Sequence, residues 1–332
     1  GALKGGLVSV AVTLVGSVVG LFAPNEYVLL VSRIIEGFGI GIISVLAPAV
    51  IAMWFPIEKR GLPMGIWSSW QQVAVAGVFL LADTILGPAQ TWSHMWIVGI
   101  VVLIVGGLLF ATFVRTPKNE ENYADSTDTS VKVTEVFKHK SVYIMCIGGV
   151  GFGLACMTFC NWAPSFWVAQ AGMDLGLANG IVGWMYLAEV FCCILGGFIL
   201  NHVKNRQRFA AASAFAYAVV FYLLFVATDF PIVIVLCVLY CIIEGLFCSS
   251  MWTLIAQTTP DPRLSGAAMA FFAMATNLGM MLGAPLSGMI LDATAMTGWG
   301  YVAIFAGVCQ LIAGITFLAM KLFDEQGNEI KR

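Results

Sequence analysis

An all-α polytopic membrane fold follows from three features of this chain. Of 332 residues, 60% are hydrophobic and only 10% charged, against roughly a quarter charged in a soluble domain, and the mean hydropathy is +0.93. Apolar runs of about the 20 residues needed to cross a bilayer recur along the chain. The basic residues gather in alternate connections between those runs. The charge balance, 16 basic against 18 acidic residues, argues against a nucleic-acid partner.

Ten spans are expected, at about 5–23, 27–54, 62–86, 94–114, 141–168, 178–200, 209–228, 231–256, 265–291 and 299–320. Turn residues or charges bound each one. The fifth carries Asn161, Trp162 and Pro164 near its end, and a bend or break is expected there because proline removes a helical hydrogen bond. The polar segment 115–140 is the one long hydrophilic interruption. It reads as a solvated linker, with an amphipathic stretch on the anionic membrane surface as the alternative. The domain reading is therefore 1–114 for a first helical group, 115–140 for a cytoplasmic linker, 141–322 for a second group and 323–332 for a tail.

Fifteen of the 16 Lys and Arg fall on one set of alternate connections, and Arg33 is the exception, inside a span. By the positive-inside rule that side is cytoplasmic, which puts both ends of the chain inside the cell membrane. The chain starts GALKGG rather than at Met, so a missing upstream segment is expected. The nine cysteines all lie in apolar runs, where buried thiols are expected rather than disulfides or metal ligands.

The loop Met53 to Gly65, MWFPIEKRGLPMG, and the loop Gln257 to Met269, QTTPDPRLSGAAM, share a Pro, an acidic residue and an Arg ahead of a glycine-containing helix start. The string IIEG at Ile34 to Gly37 recurs at Ile242 to Gly245. Together they suggest a parallel duplication of two halves. Gly37 to Gly41 and Gly279 to Gly283 have GxxxG spacing, which allows close helix packing.

With Arg33, Gly37, Gly39 and Gly41, and with the trailing Phe55, Pro56, Arg60 and Gly61, the sequence resembles the Major Facilitator Superfamily. The resemblance implies two six-helix halves, of which helices three to twelve, ten of twelve, are present. Two upstream spans and an Asp just before Gly1 are then expected. Gly1 to Lys4 matches the end of the family's loop between helices two and three. Gly197, Asn201, Lys204 and Arg206 match its second-half copy, with Asn201 where the family has Asp and Lys204 where it has Gly. Met64 to Ala82 holds no Gly-Pro pair, unlike drug antiporters. The string APAVIAMWFPIEKRGLPMGIWSSW is similar to nitrate/nitrite and cyanate-type anion porters.

The resemblance implies a secondary transporter moving a small solute by alternating access, with an anion and proton coupling as the specific reading. No cofactor, a monomer in the lipid bilayer and no enzymatic activity are expected. A drug or metabolite efflux carrier and a non-transporting sensor or scaffold are the alternatives. A charge inside a span is costly and so marks a candidate site. Arg33 and Glu36, at i, i+3, either neutralise one another or leave Arg33 free for an anion. Glu189 and Glu244 sit mid-span, where a carboxylate either pairs or takes a proton; Asp83 lies near a span end. Gln71, Gln72, Asn161 and Asn277 read as interhelical glue or substrate contacts. Lys4, Arg60, Asn201, Lys204 and Arg206 are expected to form cytoplasmic gating loops, and Trp54, Trp67, Trp70, Trp92 and Trp96 interfacial belts.

Overall fold

The computed structural model describes Ala2 to Ile330 apart from residues 56–62, 64–65, 68, 88, 90, 116–132, 262–263 and 325. Arg60, Arg263 and most of the expected linker therefore lie outside the described residues, as do the side chains of Asp83 and Asn201. The described chain contains ten α-helices: α1 (Ala2–Leu21), α2 (Glu26–Trp54), α3 (Trp70–Leu86), α4 (Ser93–Phe113), α5 (Lys140–Ala171), α6 (Leu175–His202), α7 (Arg206–Leu224), α8 (Phe230–Ile255), α9 (Ser265–Ala293) and α10 (Trp299–Ala319). Nine of them are long and apolar enough to cross a membrane, and α3 is shorter.

Local chemistry sets the helix ends. The side chains of Asn25, Asp174 and Asn205 accept the backbone N–H of Val28, Leu177 and Arg208 at 3.0, 3.2 and 3.0 Å, capping α2, α6 and α7. At the end of α5, Gly172 takes a left-handed conformation, φ 64°, and returns its N–H to the helix. Pro164 does not break α5, which runs on to Ala171; the lost hydrogen bond is tolerated inside a packed bundle.

The chain divides into two compact units, Gly1–Gln71 with Leu80–Thr127, and Gln72–Phe79 with Asp128–Arg332. In the first unit α1 packs against both α2 and α4. In the second, α5 packs on α9 and α10, α6 on α8, and α7 on α8 and α10, and the middle of α3 buries Ala76. The 3-10 turn Val133–Lys138 buries Val136 and sets Phe137 edge-on to Phe271 at 5.1 Å. Its Val-x-x-Val-Phe pattern turns this end of the expected solvated linker into part of the second unit.

Three glycines of the second unit stand where helices touch backbone to backbone. A Cβ on Gly153, Gly279 or Gly283 would collide with the carbonyl of Thr276, Val150 or Leu154 respectively. Polar ties lock the same crossing: Thr158 Oγ1 and Ser287 Oγ lie 2.7 Å apart, and Trp162 Nε1 donates to Ala284 O at 3.0 Å. In the first unit Gly37 and Gly41 face open space, and Gly39, against Thr13 and Ser9, makes the close approach. That corrects the first GxxxG reading: the tight spot lies at the glycine between the spaced pair.

Candidate functional site

In the second unit, α6 and α8 cross where each presents a glycine. A Cβ on Gly196 would strike the carbonyl of Gly245, and one on Gly245 the backbone of Cys192. Ser249 Oγ donates to Cys193 O at 2.9 Å and Cys241 Sγ to Met185 O at 3.5 Å. These two ties bracket Glu189, between Met185 and Cys193, and Glu244, between Cys241 and Ser249. The two carboxylates are thereby held level and interact directly.

Both are buried, Glu189 at 0% and Glu244 at 3% exposure. Tyr240 and Cys248, on the same helix one turn to either side, and Tyr217 of α7 surround Glu244; the Cys248 thiol lies 3.9 Å from Glu244 Oε1. Tyr186 of α6 interacts with the Cys156 and Cys160 thiols of α5 and, less strongly, with Glu189 one turn along its own helix. Aromatic rings close the site: Tyr217 and Tyr240 are 5.1 Å apart, and Phe159 stacks on Tyr240 at 4.6 Å.

Within this enclosure the Glu244 carboxyl engages Glu189 and the hydroxyls of Tyr217 and Tyr240, and Tyr186 engages the Cys156 and Cys160 thiols, without any of these contacts reaching the geometry of a full hydrogen bond. No ion pair among the described residues includes either glutamate. Two carboxylates in a dry site repel each other and are costly to ionise without a compensating positive charge. The sequence marked both glutamates but missed the three tyrosines, whose rings do not stand out within apolar spans.

In the first unit Arg33 is paired with Glu36. Its Nη2 lies 2.7 Å from Glu36 Oε2, and Ser17 Oγ donates to Glu36 Oε1 at 2.6 Å. Arg33 Cζ sits 3.9 Å from the centroid of the Trp96 ring, a cation–π stack. Glu36 is buried while the Arg33 side chain is half exposed. The pair is therefore locally neutral and anchored on α1 and α4, and Trp96 is a stacking partner as well as a span-end residue. A Cβ on Gly16 would strike Glu36 Cγ, so this small residue lets Ser17 reach the carboxylate.

The other candidates are scattered. Asn161 is exposed and donates to Met157 O of its own helix at 2.9 Å. Interhelical glue between α5 and α9 is thus supplied by Thr158 and Trp162 of α5, with Ser287 of α9 meeting Thr158, rather than by Asn161. Asn277 is exposed and Gln71 half-buried, while Gln72 buries its Oε1 without a partner. Lys4 and Lys204 are exposed and Arg206 is half-buried in the first turn of α7.

A sequence profile described as Major Facilitator Superfamily matches residues 1–265. The hexuronate transporter of Bacillus subtilis (strain 168) is 22% identical over 313 residues, covering 88% of this chain and 71% of its own. The cyanate transport protein CynX of Escherichia coli (strain K12) is 25% identical over 209 residues, 60% of this chain and 51% of that protein. Among solved structures, a D-xylose-proton symporter aligns with a TM-score of 0.74 at 15% identity, covering 99% of this chain and 83% of that one.

Proposed function

We propose that this chain, which belongs to the Major Facilitator Superfamily and is a multi-pass membrane protein, works as a secondary transporter of a small polar solute by alternating access. The observation that carries the reading is the Glu189–Glu244 pair, buried in the membrane-spanning part of the second unit with no ion-pair partner among the described residues. Such a pair must take up positive charge to be stable where it stands. A site that loads a cation on one side of a membrane and releases it on the other is what couples a gradient to solute movement. On this reading Glu189 and Glu244 load a proton or a metal cation. The gating roles of Lys4, Arg60, Asn201, Lys204 and Arg206 remain part of the proposal, as do a cytoplasmic-membrane location and inward-facing ends.

For the solute, the hexuronate and cyanate carriers among the relatives favour an organic or small inorganic anion. Arg33 does not strengthen that choice, since Glu36 already neutralises it at 2.7 Å. Moving one elementary charge against the membrane potential costs about 2.3 kcal/mol per 100 mV. Entry of a monoanion together with one cation carries no net charge and escapes that term. The test is counterflow in proteoliposomes made with the full-length protein. Solute-specific exchange for a sugar acid or small anion is the expected result. Absence of exchange for any solute, with the protein folded, would point to the sensor or scaffold alternative.

A further inference from the structure

Apart from the buried glutamates, α6 and α8 together form a surface groove of about 480 Å³. We infer that it holds one acyl chain of a membrane phospholipid whose headgroup is a cationic amine of the ethanolamine type. The floor is Ile181 and Met185 of α6 with Cys237 and Cys241 of α8, all buried. The rims, Leu177 and Trp184 on one side and Val238 and Ile242 on the other, are exposed. Gly180 also lines the groove, and a Cβ there would meet nothing within 4 Å. The volume falls within the range of about 300–1,000 Å³ usual for a ligand site.

Shape and chemistry select an alkyl chain. No charged, hydroxyl or amide side chain lines the groove, so a polar solute would leave its own polar groups unpaired there. Along α8 the groove runs from Ile234 to Ile242, about 12 Å at the helical rise. That is close to the roughly 15 Å that one leaflet contributes to the hydrocarbon core, and both helices are long and apolar enough to cross it. A helix about 10 Å across would need roughly twice the space over the same length. One extended chain, lying along the two helices, fits.

Charge at the mouth selects the headgroup. The ties from Cys241 Sγ to Met185 O and from Ser249 Oγ to Cys193 O each join residues 56 apart, so α6 and α8 run parallel in a fixed register. The same offset sets Asp229, at the start of α8, level with Met173 and so beside Asp174, at the start of α6. Both aspartates are exposed, and neither is in an ion pair among the described residues. No Lys, Arg or His occurs in residues 141–201 or 209–262, the stretches that contain both helix starts. The mouth is therefore negative, which attracts an ammonium headgroup and repels an anionic one.

Trp184, 63% exposed on the rim, reports occupancy. The full chain is placed in vesicles in which either phosphatidylethanolamine or phosphatidylglycerol carries brominated chains, which quench indoles they touch. The Trp184 signal is the difference between the parent and Trp184→Phe. Brominated phosphatidylethanolamine should quench it several-fold more than its mole fraction in the bilayer predicts, and brominated phosphatidylglycerol should quench it less. Gly180→Leu points a side chain into the groove and should abolish the excess, with an unchanged unfolding midpoint showing that the variant is folded. Asp174→Asn keeps a capping side chain and removes only the charge; combined with Asp229→Asn it should make the two lipids quench equally. Quenching of Trp184 that follows mole fraction for both lipids would overturn the inference, as would a preference for phosphatidylglycerol or an excess that survives in folded Gly180→Leu. Lipid contact is read without any flux, so this result stands apart from the counterflow test of transport.

Discussion

Arg33 shows how one residue's meaning depends on contacts that its own stretch of chain does not contain. Its neighbours in sequence offered Glu36 at i+3, and that pair forms at 2.7 Å. What decides its strength is remote: Ser17 from α1 holds the second carboxylate oxygen at 2.6 Å, and the Trp96 ring from α4 lies under the guanidinium. Arg33→Ala leaves a buried carboxylate held only by a serine. It should destabilise the first unit by about 2 kcal/mol, below the 3–5 kcal/mol typical of a fully buried pair because Arg33 is half exposed. Glu36→Gln in the same background should recover most of the loss. A double-mutant cycle on thermal or denaturant unfolding measures this, and an additive result would show that the pair is not coupled. The Arg33–Glu36 contact was legible because both residues lie one helical turn apart on the same segment. Trp96, Tyr186, Tyr217 and Tyr240 were not, because an aromatic ring in an apolar span carries no local signal of which polar group it faces.

At the scale of elements, glycine placement decides which helices approach and therefore which polar groups meet. Gly196 and Gly245 bring α6 and α8 to backbone contact, and that approach sets Glu189 opposite Glu244. Gly279 and Gly283 do the same for α5 and α9. Adding one methyl group at Gly279 or Gly245 forces these crossings apart and should cost about 1–3 kcal/mol, in line with overpacking of a dense interior. Gly266→Ala and Gly300→Ala meet nothing within 4 Å and should stay within about 0.5 kcal/mol of the parent. Unfolding of the four variants in detergent or lipid checks the contrast; equal losses at all four positions would contradict it. The sequence displayed the GxxxG spacing at Gly37 and Gly279 alike, yet only the second meets its partner helix through the spaced pair. Spacing along one helix reports a face, and the rotation of that face toward a neighbour is set by the rest of the bundle. Nine of the ten expected spans were readable to within a few residues, since length and hydropathy are properties of a single segment, while the expected 62–86 span is described only as the shorter α3, Trp70–Leu86.

At the scale of the whole chain, the second unit is tied together at one end by its last residues. After α10, Phe323 N donates to Gln257 O at 2.8 Å, Lys321 N to Ser141 Oγ at 2.9 Å, and Ile330 N to Leu322 O at 2.8 Å. Gln207 Nε2 reaches Phe317 O and Met320 O. The turn of this hairpin is organised by Asp324, whose Oδ1 accepts the N–H of Asn328 at 2.8 Å and of Gln326 at 2.9 Å. Those hydrogen bonds, the Asn328 backbone first, hold its carboxyl below the usual carboxylate range. The stabilisation is fully present above the ordinary carboxylate pKa and is lost as pH falls through the depressed native value. The amide protection factors of Phe323, Asp324, Gly327 and Ile330, taken relative to the intrinsic exchange rate at each pH, should therefore be high at neutral pH and fall only in acid, whereas in Asp324→Ala they should be low already at neutral pH. Unchanged protection in that variant would show that the turn does not depend on the carboxylate.

In the proposed function the buried glutamates are the place where a gradient is coupled to the solute. The direct measurement is solute accumulation in proteoliposomes of the full-length protein under an imposed inward cation gradient, compared with counterflow in the same vesicles. Wild-type protein should accumulate solute. Glu244→Gln and Glu189→Gln should still exchange it but only equilibrate it, since a neutral amide removes the charge that loads the cation. Accumulation that persists undiminished in both variants would contradict the coupling role of the pair.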